Sequence, residues 1–152
     1  MVEQVTGEES PAVDRQAVAD GFVRHAHGKL AQDKVDAAAA ALLEADTSYP
    51  ANGSVASFMF YLQFQVTIKN GGKTFNGKAG GLTTPGGGAL YGDVYTDDLN
   101  RLYSATQSFE FQATSVYTSL LFFDGSSNLL GHFQAGSVST VNGFGGGSGS
   151  WS

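Results

Sequence analysis

Gly72-Lys73-Thr74 ends the way a phosphate-binding loop ends. That loop also needs a glycine five residues before Gly72 and a helix behind it, so that backbone N–H groups converge on the phosphate. Position 67 is threonine, and Thr74-Phe75-Asn76-Gly77 reads as hairpin sequence. The run is therefore a turn entering a strand. His25 and His27 form a His-x-His pair near Asp20. A metal needs three or four ligands in fixed geometry, and i, i+2 spacing on a helix sends the two rings to different faces. His132, in Leu130-Gly131-His132-Phe133-Gln134, is the one histidine outside the first fifty residues. Alternation sets it opposite Phe133, on the expected solvent face. No Gly-x-Ser-x-Gly elbow accompanies it.

The acids Asp93, Asp97, Asp98, Glu110 and Asp124 have structural readings. Asp97 is expected to cap a helix with Asp98 in its first turn, and Asp124 to start a turn. Glu110, between Phe109 and Phe111, is expected to face outward. Asn52-Gly53-Ser54 is a short sequon that reads better as a turn. No catalytic, cofactor-binding or metal-binding residue is assigned, and no cofactor is expected.

These residues are distributed over two halves of different chemistry. Residues 1–50 hold nine acids against four bases and only two aromatics, Phe22 and Tyr49. Net charge is −6 over 152 residues, which argues against a nucleic-acid partner. No apolar run approaches the ~18 residues of a membrane-spanning helix, and there is no cysteine. Met1-Val2-Glu3-Gln4 is no signal peptide, so an exported protein would be a processed form. Tyr49-Pro50-Ala51-Asn52-Gly53 carries turn signals and sets the boundary. Residues 1–48 are expected to be an acidic, Ala-rich, partly helical or disordered tail, mobile, with a shallow apolar stripe of Phe22, Val23, Ala26 and Leu30.

Residues 49–152 read as a compact all-β domain. Phe58, Phe60, Leu62, Phe64, Val66 and Ile68 alternate with polar neighbours, a period of two that defines one long strand from Phe58 to Lys69. Asn70-Gly71-Gly72 is a hairpin signal. Further strands are expected at 74–82, 89–95, 108–114 and 116–123, then over 129–141 as one strand or two separated at Gly136. Leu99, Leu102 and Tyr103 at i, i+3 and i+4 place one short helix at about 97–105. The end, Val141-Asn142-Gly143-Phe144-Gly145-Gly146-Gly147-Ser148-Gly149-Ser150-Trp151, has the composition of a linker. Alternation instead puts Gly143, Gly145, Gly147, Gly149 and Trp151 on one face. That register suits a closing barrel strand, with Trp151 buried and glycines making room for bulky residues opposite. Eight antiparallel strands on this length suggest a closed eight-stranded barrel filled by its aromatic residues.

Three blocks and this ending carry a resemblance. Gly72–Gly86, Asp97-Asp98-Leu99-Asn100-Arg101-Leu102-Tyr103, Leu129–Gly136 and the Gly-rich close on Trp151 resemble the virulence-associated (Vap) proteins of pathogenic rhodococci over residues 50–152. The resemblance implies an eight-stranded antiparallel barrel with a single helix. It implies a protein that is secreted, extracellular or at the bacterial surface, and that acts in the host macrophage phagosome. The best-studied member promotes survival there by disturbing endolysosomal maturation and acidity at membranes. The resemblance implies no enzymatic activity or catalytic residue. The expected function is therefore a non-enzymatic effector, monomeric, contacting a host membrane lipid or host protein. The alternative is a barrel that carries a small apolar ligand in its lumen.

Overall fold

The computed structural model describes residues 13–44, 47–58, 60–81 and 83–152. Residues 1–12 and 45–46 of the expected tail, together with Met59 and Leu82, lie outside the described residues. The chain forms α1 (Arg15–Ala26), α2 (Gln32–Leu42), β1 (Thr47–Ser57), β2 (Tyr61–Ile68), β3 (Thr74–Gly80), β4 (Gly86–Thr96), α3 (Leu99–Ala105), β5 (Ser108–Ala113), β6 (Tyr117–Phe123), β7 (Leu129–Ser139) and β8 (Gly143–Trp151).

The eight strands close into an antiparallel barrel in the order β1-β2-β3-β8-β5-β6-β7-β4. The order resolves into two Greek keys. In each, the fourth strand returns beside the first: β4 beside β1, and β8 beside β5. The keys join where β8 meets β3 and β4 meets β7. Closure leaves these apolar strands no free edge.

The expected strand count holds, but two members differ. β7 runs unbroken through Gly136, so one expected break is absent. In its place, β1 occupies the stretch Tyr49–Gly53 that was read as a turn, sequon included. Pro50 is tolerated there for a geometric reason. Its carbonyl accepts from Lys69 N at 2.9 Å, and a strand residue points its N–H and C=O to the same side. The missing N–H therefore falls beyond the first β1–β2 pair, Ala51 with Ile68.

The interior is rich in aromatic rings among its aliphatic side chains. Phe64, Phe75, Phe109, Phe111, Phe122 and Phe133 are fully buried. Phe75 meets Phe109, Phe122 and Trp151 with ring centroids at 5.3, 4.9 and 5.5 Å. The glycines of β8 make this density possible. A Cβ on Gly149 would run into the Phe75 ring, and one on Gly145 would lie 3.0 Å from Phe111 Cε1. At Gly147 the obstacle is backbone: a Cβ would collide with the Lys78 carbonyl and come within 2.6 Å of Ala79 Cα. Backbone of a neighbouring strand cannot rotate away. Gly147→Ala is expected to cost about 1–3 kcal/mol as overpacking, read as a lowered urea midpoint at unchanged slope. A wild-type midpoint would mean that β8 and β3 separate freely.

α3 closes one end, with Leu102 in the core and Leu99 and Tyr103 packed beside it. Its N-cap is Asp98, whose side chain accepts from Arg101 N; the expected cap, Asp97, is one residue early. Thr96 decides the offset, because its hydroxyl accepts from Asp98 N at 3.2 Å and holds that residue in the cap conformation.

α1 and α2 give the helical part of the N-terminal segment a definite form. They make an antiparallel hairpin on the barrel's outer wall. Asp14 caps α1 by accepting from Ala17 N, and Gly28 turns the chain at φ 82°. The expectation of a shallow face that buries little is corrected. Phe22 and Ala26 are buried, but with Val18, Ala19, Val35, Ala38 and Leu42 they form a second core against Leu121 and Phe123 of β6. The signal was divided between two helices, so neither stripe looked sufficient alone.

Candidate functional site

Four loops meet at the end of the barrel opposite α3: 58–60, 81–85, 114–116 and 140–142. They share one end because β3 and β5 both run antiparallel to β8 and finish beside its start. None of them contains Asp, Glu, Lys, Arg or His. Their polar groups are turned onto one another. Thr84 N donates to Asn142 O at 3.1 Å, Asn142 N donates to Thr84 Oγ1 at 2.8 Å, and Thr84 Oγ1 donates to Thr140 O at 2.8 Å. Beside exposed Thr84, Ser115, Thr140 and Asn142, this end shows large apolar side chains to solvent: Phe58 is 63% exposed, Phe60 69% and Val116 69%. Phe58 stacks near Tyr61 at 6.2 Å.

Sequence reasoning put Phe58 and Phe60 inside, at the start of a long strand. The structure starts that strand at Tyr61 and leaves both rings outside. β1 supplies the reason. Its last pair with β2 joins Ser57 to Leu62, and Phe58 N bonds Tyr61 O at 2.8 Å. The hairpin therefore turns through 58–60. Without β1 recognised as a strand, no register signalled that turn.

The other singled-out residues do not assemble a catalytic or metal centre. Among the described residues no group of three His, Cys, Asp or Glu is placed to hold a metal. His25 stacks on Phe144 at 3.6 Å, and burial, then Arg24 and Lys29, hold its imidazole below the ordinary 6.5. Lys73 belongs to the β2–β3 turn, where its N–H donates to the Tyr103 hydroxyl at 3.2 Å. Asp124 organises the β6–β7 turn by accepting from Ser126 N and Asn128 N, and pairs with Arg101 at 3.3 Å. Burial pushes its carboxyl up, but hydrogen bonds from Asn128 and Ser126 outweigh it and hold it below the usual range.

Glu110 points away from the lumen, as expected, but is only half-exposed. It lines an open cleft of about 600 Å³ with Lys29, Phe144, Gly80, Gly81, Gly145 and Gly146. Burial raises its carboxyl, opposed by the Lys29 charge. One carboxylate here has no second acid among the cleft's lining residues, as paired-carboxylate chemistry needs. His132 is the main correction. It does lie opposite Phe133, on the outer wall, but the helical hairpin covers that wall and leaves it 1% exposed. Alternation reports which face a residue occupies, and it cannot report that a second element covers the face.

The Rhodococcus equi virulence-associated protein family matches residues 6–152. The chain belongs to this family. Two solved Vap structures agree. VapD from the intracellular pathogen Rhodococcus equi is 41% identical with a TM-score of 0.69, covering 72% of this chain and 100% of that one. VapB from the same organism is 47% identical with a TM-score of 0.66, covering 71% of this chain and 98% of that one. Among curated proteins, none matches. For the Vap barrel, the packing bears on the ligand-carrier alternative. A carrier needs an open lumen, and here Phe64 meets Phe109 and Phe111 at 5.6 and 5.0 Å across the interior.

No helix among the described residues is long and apolar enough to cross a membrane.

Proposed function

We propose that this chain is a secreted, non-enzymatic virulence-associated protein that acts in the host macrophage phagosome. It works by surface contact with a host membrane, made through the barrel end that exposes Phe58 and Phe60. Family membership supports the virulence role. The single observation that carries the membrane contact is the pair of exposed rings, Phe58 and Phe60, on an end whose four loops hold no charge.

The physical reason is desolvation. Pushing a charged loop into the headgroup region costs free energy; pushing this one in buries two phenyl rings, each worth about 1.5–3 kcal/mol when fully removed from water. The protein's net charge of −6 makes attraction to anionic lipid a poor alternative driving force.

Flotation of the full chain with neutral phosphatidylcholine vesicles at pH 5 and pH 7 tests this. Phe58→Ser with Phe60→Ser is expected to lower partitioning by at least about 100-fold while the circular dichroism spectrum stays unchanged. Absence of vesicle binding at either pH would sink the membrane reading and leave a host protein as the partner.

A further inference from the structure

The hairpin of α1 and α2 covers a part of the wall that is only half apolar. Leu121 and Phe123 pack against it, but beside them the covered wall carries Gln112, Ser119, His132 and Gln134, all buried. Gln112 is satisfied, because its amide donates to the Val18 carbonyl at 3.0 Å. Gln134 Nε2 meets His132 Nδ1 at 3.1 Å. The remaining atoms, Ser119 Oγ, His132 Nε2 and Gln134 Oε1, are buried without a protein partner. Burying these polar groups opposes docking and offsets part of what covering Leu121 and Phe123 contributes, so the hairpin is held less firmly than an all-apolar wall would hold it.

Besides the buried Gln112–Val18 bond, the hairpin's polar fastenings lie at its margins. Arg15 donates to the carbonyl of Glu44 at 2.8 Å and, at 3.4 Å, to that of Leu42, tying the start of α1 to the end of α2. Lys34 reaches Asn128 at 2.6 Å. His132 lies beneath this frame. From β4 it faces Tyr95, stacked on it at 5.1 Å, with Asp93 one diagonal step away opposite Gln134. From β6 it faces Leu121 in register. From α1 it faces Arg15, whose guanidinium sits 4.0 Å over the same Tyr95 ring. A proton on His132 would thus lie in a dry pocket under a fixed positive charge, and half-buried Asp93 is the nearest acid in register.

We propose that the α1–α2 hairpin is an acid-released cover: it stays docked on the barrel wall while His132 is neutral, and protonation of His132 drives it off. Burial, then the Arg15 charge, holds the imidazole down to about 3, against an ordinary 6.5 once the wall is open. The docked value is the lower one. Docking is therefore fully supported above pH 6.5 and loses support as the pH falls from there toward 3. At pH 5 the open state gains roughly 30-fold over neutral pH. Release would uncover Leu121 and Phe123 on the barrel and Val18, Phe22, Val35 and Leu42 on the hairpin.

Native-state hydrogen exchange on the full chain reads this, with rates corrected for intrinsic pH dependence. Between pH 7.5 and 5.0, α1 and α2 amides are expected to lose roughly 30-fold of their protection while those of β2, β3 and β5 keep theirs. His132→Gln, neutral at both values, is expected to abolish the difference. His25 also titrates on α1, and the same variant separates its contribution. The proposal is overturned by unchanged helix protection, by an equal loss in the barrel, or by a pH effect that survives His132→Gln. Should that variant fail to fold, labelled-histidine spectra of the wild type decide: an imidazole of His132 titrating near 6.5 in the docked protein overturns it.

Discussion

A chain ending at Asn142 is expected to give no cooperative unfolding transition and a collapsed amide spectrum. β8 pairs along one edge with β3, Phe75 to Trp151 through Gly80 to Gly146, and along the other with β5, Ser108 to Ser148 through Ala113 to Gly143. Removing it opens the barrel and leaves the edges of β3 and β5 unpaired, where isolated apolar edges associate. It also removes Trp151, 7% exposed, from contact with Phe75, Phe122 and Tyr103. The loss of two ladders and a core tryptophan exceeds the roughly 5–15 kcal/mol that holds a domain of this size together. Circular dichroism and urea titration of the truncated chain check this. A folded truncated chain would restore the linker reading of Gly145–Ser150.

Phe75→Ala is expected to cost about 3–5 kcal/mol, with a fall in Tm on the order of 10–20 °C. The site can collapse little. Phe75 is fully buried, and its ring touches Phe109, Phe122 and Trp151 at once. The backbone on either side is glycine at Gly77 and Gly149, whose own missing side chains already gave their space to this ring. Neither glycine can refill the void. The informative control is Phe60→Ala. It removes the same atoms from a side chain that is already in water, so its stability change is expected to stay within about 0.5 kcal/mol. The comparison separates rings that build the barrel from rings that face outward for another purpose. A similar loss from both would mean that the 58–60 loop is packed, and would remove the basis for the membrane contact.

Much of this protein is written in local pattern. Leu62 to Ile68 alternate without a break, and each apolar one is buried. The ending Gly145 to Trp151 kept a period of two through a composition that mimics a linker, and it became β8 with Trp151 inside. Leu99, Leu102 and Tyr103 marked α3. The motif blocks were dense enough to indicate the family. These features are legible because period, turn chemistry and aromatic content are properties of neighbouring residues, and local physics enforces them.

Other features depend on partners distant in sequence. β1 became a strand because β2 and β4 flank it and because the Pro50 nitrogen falls past the end of a ladder; Pro, Asn and Gly in series otherwise signal a turn. Phe58 and Phe60 were lost from the interior once β1 and β2 set where their hairpin turns. The two weak stripes of α1 and α2 became a second core only after Leu121 and Phe123 offered a common wall. His132 shows the division most plainly. Alternation along β7 determined by itself that the imidazole faces away from the lumen. Only the tertiary structure decided that a helical hairpin far upstream, residues 15–42, covers it, because burial depends on what else arrives at a surface, and a strand's own sequence holds no record of that.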